Sequence, residues 1–268
     1  MSAIAANPPE QVATSPIALD RTVPKYGGFN VTLLRIELVR ILRNKRSMFF
    51  TIALPVIFFF MFRAESFASG SGNSAAWTMV SLGLYGAFVA NAGTAAGVAV
   101  ERAQGWSRQL RLTPLSATSY ILAKVIVSST IAVTPLVIMY ALGLSFGATA
   151  PAGDLVLAFA VSWVGSMLMA AFGLLVGFMM PSENVMQLMG LATTFLAFAG
   201  GIFFPQPIFS HGFDLFARWT PMYGVTAMAH AGFTGWTGSW MWLANIAGWA
   251  VLLGGGAVFM FRRDTARV

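Results

Sequence analysis

In a chain of 268 residues, 57% are hydrophobic and only 9% are charged, far below the roughly 25% charged residues of a soluble domain. Several apolar runs reach spanning length, so the composition points to a polytopic membrane protein and away from a soluble enzyme. The sequence has no cysteine, which excludes disulfides, thiolate metal sites and thiol nucleophiles. The net charge of +7 is read as membrane topology plus attraction to anionic lipid, and nucleic acid is not expected as a partner.

Residues 1–28 hold Pro8, Pro9, Pro16 and Pro24 and lack a basic start followed by an apolar core, so they read as a flexible cytoplasmic tail and not as a signal peptide. Residues 29–268 are expected to form a single transmembrane domain. Within 30–44, Val31, Leu34, Leu38 and Ile41 recur at helical spacing, opposite Glu37, Arg40, Arg43 and Asn44. That pattern predicts an interfacial amphipathic helix lying along the inner leaflet and turning into the membrane near Asn44.

Six transmembrane helices are then expected, at about 47–66, 75–100, 117–146, 154–180, 184–204 and 239–261, giving an all-α fold. The first is short, with Arg63 snorkelling to a headgroup at its end. Pro55 and Pro135 each remove a backbone donor inside a span and predict kinks. Gly83, Gly86, Gly93 and Gly97 of the second span, with Gly165, Gly173 and Gly177 of the fourth, let helices approach closely. Two readings stay open for this pattern: tight packing within one subunit, or a surface that slides or faces a pathway.

Orientation follows from the basic residues, which are retained on the cytoplasmic side. Arg21 to Arg46, then Arg102, Arg108, Arg111 and Lys124, then Arg262, Arg263 and Arg267 all fall on one face of an even-span topology, against Arg63 and Arg218 on the other. Both termini are thereby expected in the cytoplasm of a multi-pass protein of the cell (inner or plasma) membrane.

Between the second and third spans lies a charged island, Glu101 to Pro114. Each Arg or Glu at the bilayer centre would cost about 2.5–3.5 kcal/mol, so Glu101, Arg102, Arg108 and Arg111 are expected in water or against another protein. The island reads as a short helix ended by Thr113-Pro114. Trp106, Leu110 and Leu112 among arginines have the composition of an interface anchor, while an amphipathic loop lying on headgroups remains the plainer reading. Further on, Gly200 to Trp240 is aromatic and broken by Pro205, Pro207 and Pro221. It predicts short re-entrant or interfacial helices on the extracytoplasmic side, with Trp219, Tyr223, Trp236 and Trp240 at headgroup level.

Chemistry is sparse. The only histidines are His211 and His230, no metal-ligand spacing is present, and the span interiors lack a central carboxylate, which disfavours both a membrane hydrolase and an ion-coupled carrier. None of Lys25, Lys45 and Lys124 follows glycine, so a phosphate-wrapping Gly-Lys-Ser/Thr loop is missing and energy is expected from another chain.

A six-span layout with an interfacial helix, the Glu101-x-x-x-Gly105 and Leu110-x-x-x-Pro114 run between the second and third spans, and a Phe204-Pro205 hairpin before the last span resembles the permease subunit of type-2 ABC (ABC-2) transporters, with the drug- and antibiotic-efflux permeases most similar. The resemblance implies that the run through Glu101, Arg102, Gly105, Trp106, Arg108, Gln109, Leu110, Arg111, Leu112 and Pro114 is a cytoplasmic coupling helix that docks into a groove of a separate ATPase subunit. It further implies an extracytoplasmic re-entrant hairpin including Phe204, Pro205, Pro207, Trp219 and Pro221. ATP and Mg would be bound by the partner ATPase and no cofactor by this chain, which is not itself an enzyme. The working unit would contain a second permease copy, as a homodimer or with a related permease, exporting a hydrophobic or amphiphilic small molecule. Met79, Asn91, Thr94, Phe195 and Phe198 are the candidate pathway residues. The alternative function is a membrane-embedded sensor or assembly factor that docks a cytosolic partner without transport.

Overall fold

The computed structural model describes residues 30–62, 72–105, 115–205, 209–236 and 238–266. Among them, all regular structure is helical. Helix α1 (Val31–Leu42) starts where the Asn30 side chain accepts a hydrogen bond from the Thr32 N–H at 2.9 Å, and the chain breaks at Arg43 and Asn44 before α2 (Lys45–Phe62). Helix α3 (Ser74–Ala96) is capped by Asn73, whose side-chain oxygen accepts from the Ala76 N–H at 2.9 Å. The helix relaxes at Gly97 and resumes as α4 (Val98–Ala103).

Two long helices follow, α5 (Ala117–Ser145) and α6 (Ala152–Met179), then α7 (Ser182–Ala199). Three short helices, α8 (His211–Ala217), α9 (Tyr223–Ala229) and α10 (Ala231–Thr234), precede α11 (Ser239–Ala266). Helices α2 and α5 continue through Pro55 and Pro135 without interruption.

Among the described residues, four stretches are long and apolar enough to cross a membrane: Ser74–Ala103, Thr118–Ser145, Ala152–Met179 and Ser239–Asp264. The expected first and fifth spans correspond to α2 and α7, of 18 residues each. Their boundaries differ from the expected ones for local reasons. Helix α7 ends at Ala199 instead of 204 because Gly201 adopts φ +84° and the Ile202 N–H turns back to the Ala197 carbonyl at 3.0 Å. Helix α11 runs past 261 to Ala266, where Asp264 gains a partner described below. Arg63 lies outside the described residues.

Helix α3 is the centre of the bundle, buried on nearly every face between Ala76 and Ala92. Small residues bring its neighbours in. A Cβ on Gly173 of α6 would stand 2.3 Å from the Ala92 carbonyl oxygen, and one on Gly177 would stand 2.5 Å from Val98. Gly86 sits where Pro135 and Pro55 converge, and Gly143 of α5 receives Met79. Among the expected small residues, Gly83, Gly86, Gly165, Gly173 and Gly177 therefore serve packing within one chain, whereas Gly93 faces open space. Where α3 meets α6, the Asn91 amide donates to Ser166 Oγ at 2.9 Å, which supplies one partner for a polar group that would be costly in hydrocarbon.

The helix ends form two distinct faces. One, the basic end, gathers α1, α4, the start of α5, the end of α6 and the end of α11. At the opposite end the Asn73 side chain ties the start of α3 to the turn after α5, donating to the Gly147 carbonyl at 2.7 Å and accepting from the Thr149 N–H at 3.0 Å. There Asn245 of α11 holds the short helices by donating to the carbonyls of Arg218 and Thr220 and accepting from the Gly224 N–H.

Candidate functional site

At the basic end two carboxylates and two cations from three helices meet, three of them below the surface. Glu37 of α1, Glu101 of α4 and Lys124 of α5 are each at most 6% exposed. Lys124 Nζ lies 2.9 Å from Glu37 Oε1 and 2.5 Å from Glu101 Oε1. Arg40, one turn along α1 and half exposed, donates to Glu37 Oε2 at 2.7 Å and also to Glu101 Oε1. The Tyr120 hydroxyl donates to the remaining Glu101 oxygen at 2.7 Å. Its ring stacks on Phe261 of α11, with centroids 5.3 Å apart.

The four charges sum to zero, and each acid touches both bases. Desolvating an ion costs several kcal/mol, and close paired geometry with extra hydrogen bonds offsets that cost. The arrangement is a poor source of net stability and a demanding constraint on position, because loss of one member strands another in a low-dielectric site. No group of three or more potential metal ligands occurs among the described residues, and the acids are committed to their cations.

The next residue makes a second joint. Arg102 pairs with Asp264 of α11 through two hydrogen bonds of 2.8 and 3.1 Å. It also donates to the carbonyls of Gly177 and Phe178 at 3.1 and 2.7 Å, a cation placed on the C-terminal carbonyls of α6. An open cavity of about 750 Å³ adjoins it, lined in part by Gln104, Gly105, Met180 and Ser182. Gly105 adopts φ +78°, a left-handed conformation that glycine takes without steric cost.

The opposite end holds a second cavity of about 580 Å³, walled by Trp77, Tyr223 and Trp242. His230 is buried beside it. Its Nε2 lies 3.0 Å from Ser81 Oγ and its Nδ1 lies 2.9 Å from the Thr226 carbonyl, and burial pushes the imidazole below its ordinary value.

The family described as "ABC-2 family transporter protein" matches residues 64–261, the greater part of the sequence. The chain belongs to the ABC-2 transporter family. This ABC-2 permease is also 25% identical over 200 residues to a Bacillus subtilis (strain 168) protein named as a transport permease, YvfS, an alignment covering 70% of this chain and 78% of that one.

In the permease, the residues expected to dock an ATPase divide at Gly105. Glu101 and Arg102 form the last turn of α4 and face inward, so charge expected in water or against another protein is neutralised inside the bundle. Trp106, Arg108, Gln109, Leu110, Arg111, Leu112 and Pro114 lie outside the described residues.

The five expected pathway residues do not converge. Met79 and Asn91 are completely enclosed, the first against Gly143 and the second against Ser166, while Phe195 and Phe198 are exposed on α7. Thr94 is partly exposed beside Gly93 and Gly97. Of the residues expected in a hairpin, Phe204 and Trp219 are exposed, Pro221 is buried, Pro205 adjoins the second cavity and Pro207 lies outside the described residues.

Sequence reasoning missed Glu37, Tyr120 and Lys124 as a unit. Glu37 and Arg40 share a face of α1, and Tyr120 and Lys124 share a face of α5. That spacing was the available local signal, and it does not indicate that the two faces meet.

Proposed function

We propose that this chain is the membrane subunit of an ABC exporter, crossing the membrane six times with both termini in the cytoplasm of the inner or plasma membrane. Helices α2, α3 with α4, α5, α6, α7 and α11 are the six spans, and the basic end faces the cytosol in accordance with its arginines. Residues 101–114 act as the coupling helix for a separate ATPase that binds ATP and Mg. The segment 200–238 forms a re-entrant hairpin on the far side. Two copies, or this chain with a related permease, enclose the pathway. Family membership supports a transport role, and the missing phosphate loop supports an external motor.

The observation that carries this reading is the anchoring of α4. A helix that receives a push needs a rigid root, and the turn just before Gly105 is held by the Glu101 ion cluster on one side and by the Arg102 joint on the other. On α7, Leu191, Phe195 and Phe198 form an exposed apolar face suited to a second copy and to a hydrophobic or amphiphilic cargo such as a drug, antibiotic or lipid-like molecule. Because α3 is mostly enclosed by its own chain, its contribution to a pathway falls on the partly exposed strip at Gly93, Thr94 and Gly97.

Purification of the tagged chain from its own cells tests the assignment. An ABC ATPase is expected to come with it in fixed stoichiometry, and Trp106→Ala with Arg108→Ala is expected to release that subunit. Purification without an ATPase, or a double variant with unchanged ATPase content and hydrolysis, would refute it.

A further inference from the structure

The cavity at the end opposite the basic one is assembled from four parts of the fold. Trp77 stands in the first turn of α3, Asp214 and Arg218 on and after α8, Tyr223 in α9 and Trp242 in α11. Its walls are held without a ligand. His230 Nδ1 lies 2.9 Å from the Thr226 carbonyl, which can only accept, so Nδ1 carries the proton and Nε2 accepts from the Ser81 hydroxyl at 3.0 Å. Trp77 packs on that imidazole with centroids 4.9 Å apart. Helix α9 sits so close to α11 that a Cβ on Gly224 would stand 2.7 Å from the Trp242 carbonyl oxygen. Walls fixed in this way need little ordering when a ligand enters.

The lining also selects what can enter. Phe209, Tyr223 and the two tryptophans offer aromatic surface, and about 580 Å³ falls within the roughly 300–1,000 Å³ of small-molecule sites. The charges cancel. Asp214 Oδ2 and Arg218 Nη2 are 2.6 Å apart, and the Arg218 guanidinium also bonds the Tyr223 hydroxyl. Both nitrogens of His230 are occupied and burial keeps its ring uncharged, so the imidazole contributes surface and no charge. Trp242 is different: its side chain is 8% exposed, and its indole N–H has no acceptor among the described residues. A donor on so enclosed a side chain gains from an oxygen brought by a ligand.

We propose that this cavity is a binding site for an uncharged molecule with a flat aromatic ring and an acceptor oxygen, the ring lying against the tryptophans and Tyr223 and the oxygen accepting from the Trp242 indole. A lipid phosphate fits less well, because it would have to displace Asp214 from Arg218. The site lies within one chain, apart from the pathway assigned to the contact between two copies, and it needs neither nucleotide nor an ATPase.

Benzophenone, an uncharged aromatic ketone that inserts into C–H bonds on irradiation, is the probe. The full chain in lipid nanodiscs, at about pH 8 and so above the ordinary imidazole value, is irradiated over a range of probe concentrations, and adducts are mapped by mass spectrometry. A saturable adduct, one per chain, is expected on the peptides carrying Trp77, Tyr223 or Trp242, above the linear background that lipid-dissolved probe leaves on exposed span residues. The anionic 4-benzoylbenzoate and the cationic (4-benzoylbenzyl)trimethylammonium are expected to need at least tenfold higher concentrations. Trp242→Phe keeps a ring, removes the N–H and is expected to raise the half-saturating concentration at least threefold. Thr234→Phe puts a ring at the exposed rim of the cavity and is expected to abolish the saturable adduct; it decides alone if Trp242→Phe does not fold. Linear labelling only, saturable adducts confined to other segments, charged reagents as effective as benzophenone, or unchanged half-saturation in the folded variants overturns the proposal. None of these results depends on ATPase content, so failure here leaves the exporter assignment to its own test.

Discussion

Replacing Lys124 with methionine keeps most of the side-chain volume and removes the charge that two buried carboxylates share. Glu37 and Glu101 would then face each other with Arg40 alone, a residue that is half exposed and reaches both from one side. Removing one partner of a buried pair costs about 3–5 kcal/mol. The access of half-exposed Arg40 to water places the expected loss near the lower end, about 3 kcal/mol. Adding Glu37→Gln removes one of the stranded acids, so the double variant is expected to be less destabilised than the sum of the singles, with a coupling energy of about 1–3 kcal/mol. Reversible unfolding in mixed micelles with increasing SDS, followed by tryptophan fluorescence, gives both quantities. A Lys124→Met protein within 1 kcal/mol of the parent, or strict additivity in the cycle, would refute the claim that these charges form one buried unit.

Gly173→Ala forces a methyl group against the Ala92 carbonyl and is expected to cost about 1–3 kcal/mol in the same unfolding assay. Gly190→Ala on α7 meets open space and is expected to be neutral or stabilising by up to about 1 kcal/mol. Arg102→Ala removes the pairing with Asp264 and the bonds to the Gly177 and Phe178 carbonyls, so backbone amides at the end of α11 are expected to exchange at least tenfold faster in deuterium-exchange mass spectrometry. The buried His230 resists protonation in the folded state, so the unfolded chain binds the proton first. Stability is then expected to be flat above the ordinary imidazole value of 6.5 and to decline as pH falls below it, and His230→Gln should flatten that decline in melting-temperature measurements.

Much of the architecture was legible because hydrophobic length and helical period are local properties. The break before α2 near Asn44 and the long helices over 117–146 and 154–180 follow from runs that one segment carries by itself. The charged island was legible as the end of a span and misleading as to its surroundings. Charging Glu101 the full cost of a lone ion assumes no partner, yet Lys124 and Arg40 supply two, 23 and 61 residues away. No periodicity reveals that pairing. The same limit applies to Met79 and Asn91, whose polarity and shape suit a pathway but whose positions on the central helix give them to packing. Gly201 shows a finer point: the apolar run continues to Phe204, but a positive φ ends the helix at Ala199.

Site-specific crosslinking tests most directly whether residues 101–114 deliver an ATPase to this bundle. With no native cysteine to remove, Trp106→Cys can carry a photoactivatable label in whole cells, and Trp240→Cys at the opposite end serves as the control. A single ATPase-sized adduct from position 106 and none from position 240 is the predicted result. Equal labelling at both positions, or modification of position 106 by an impermeant reagent from outside the cell, would contradict the account.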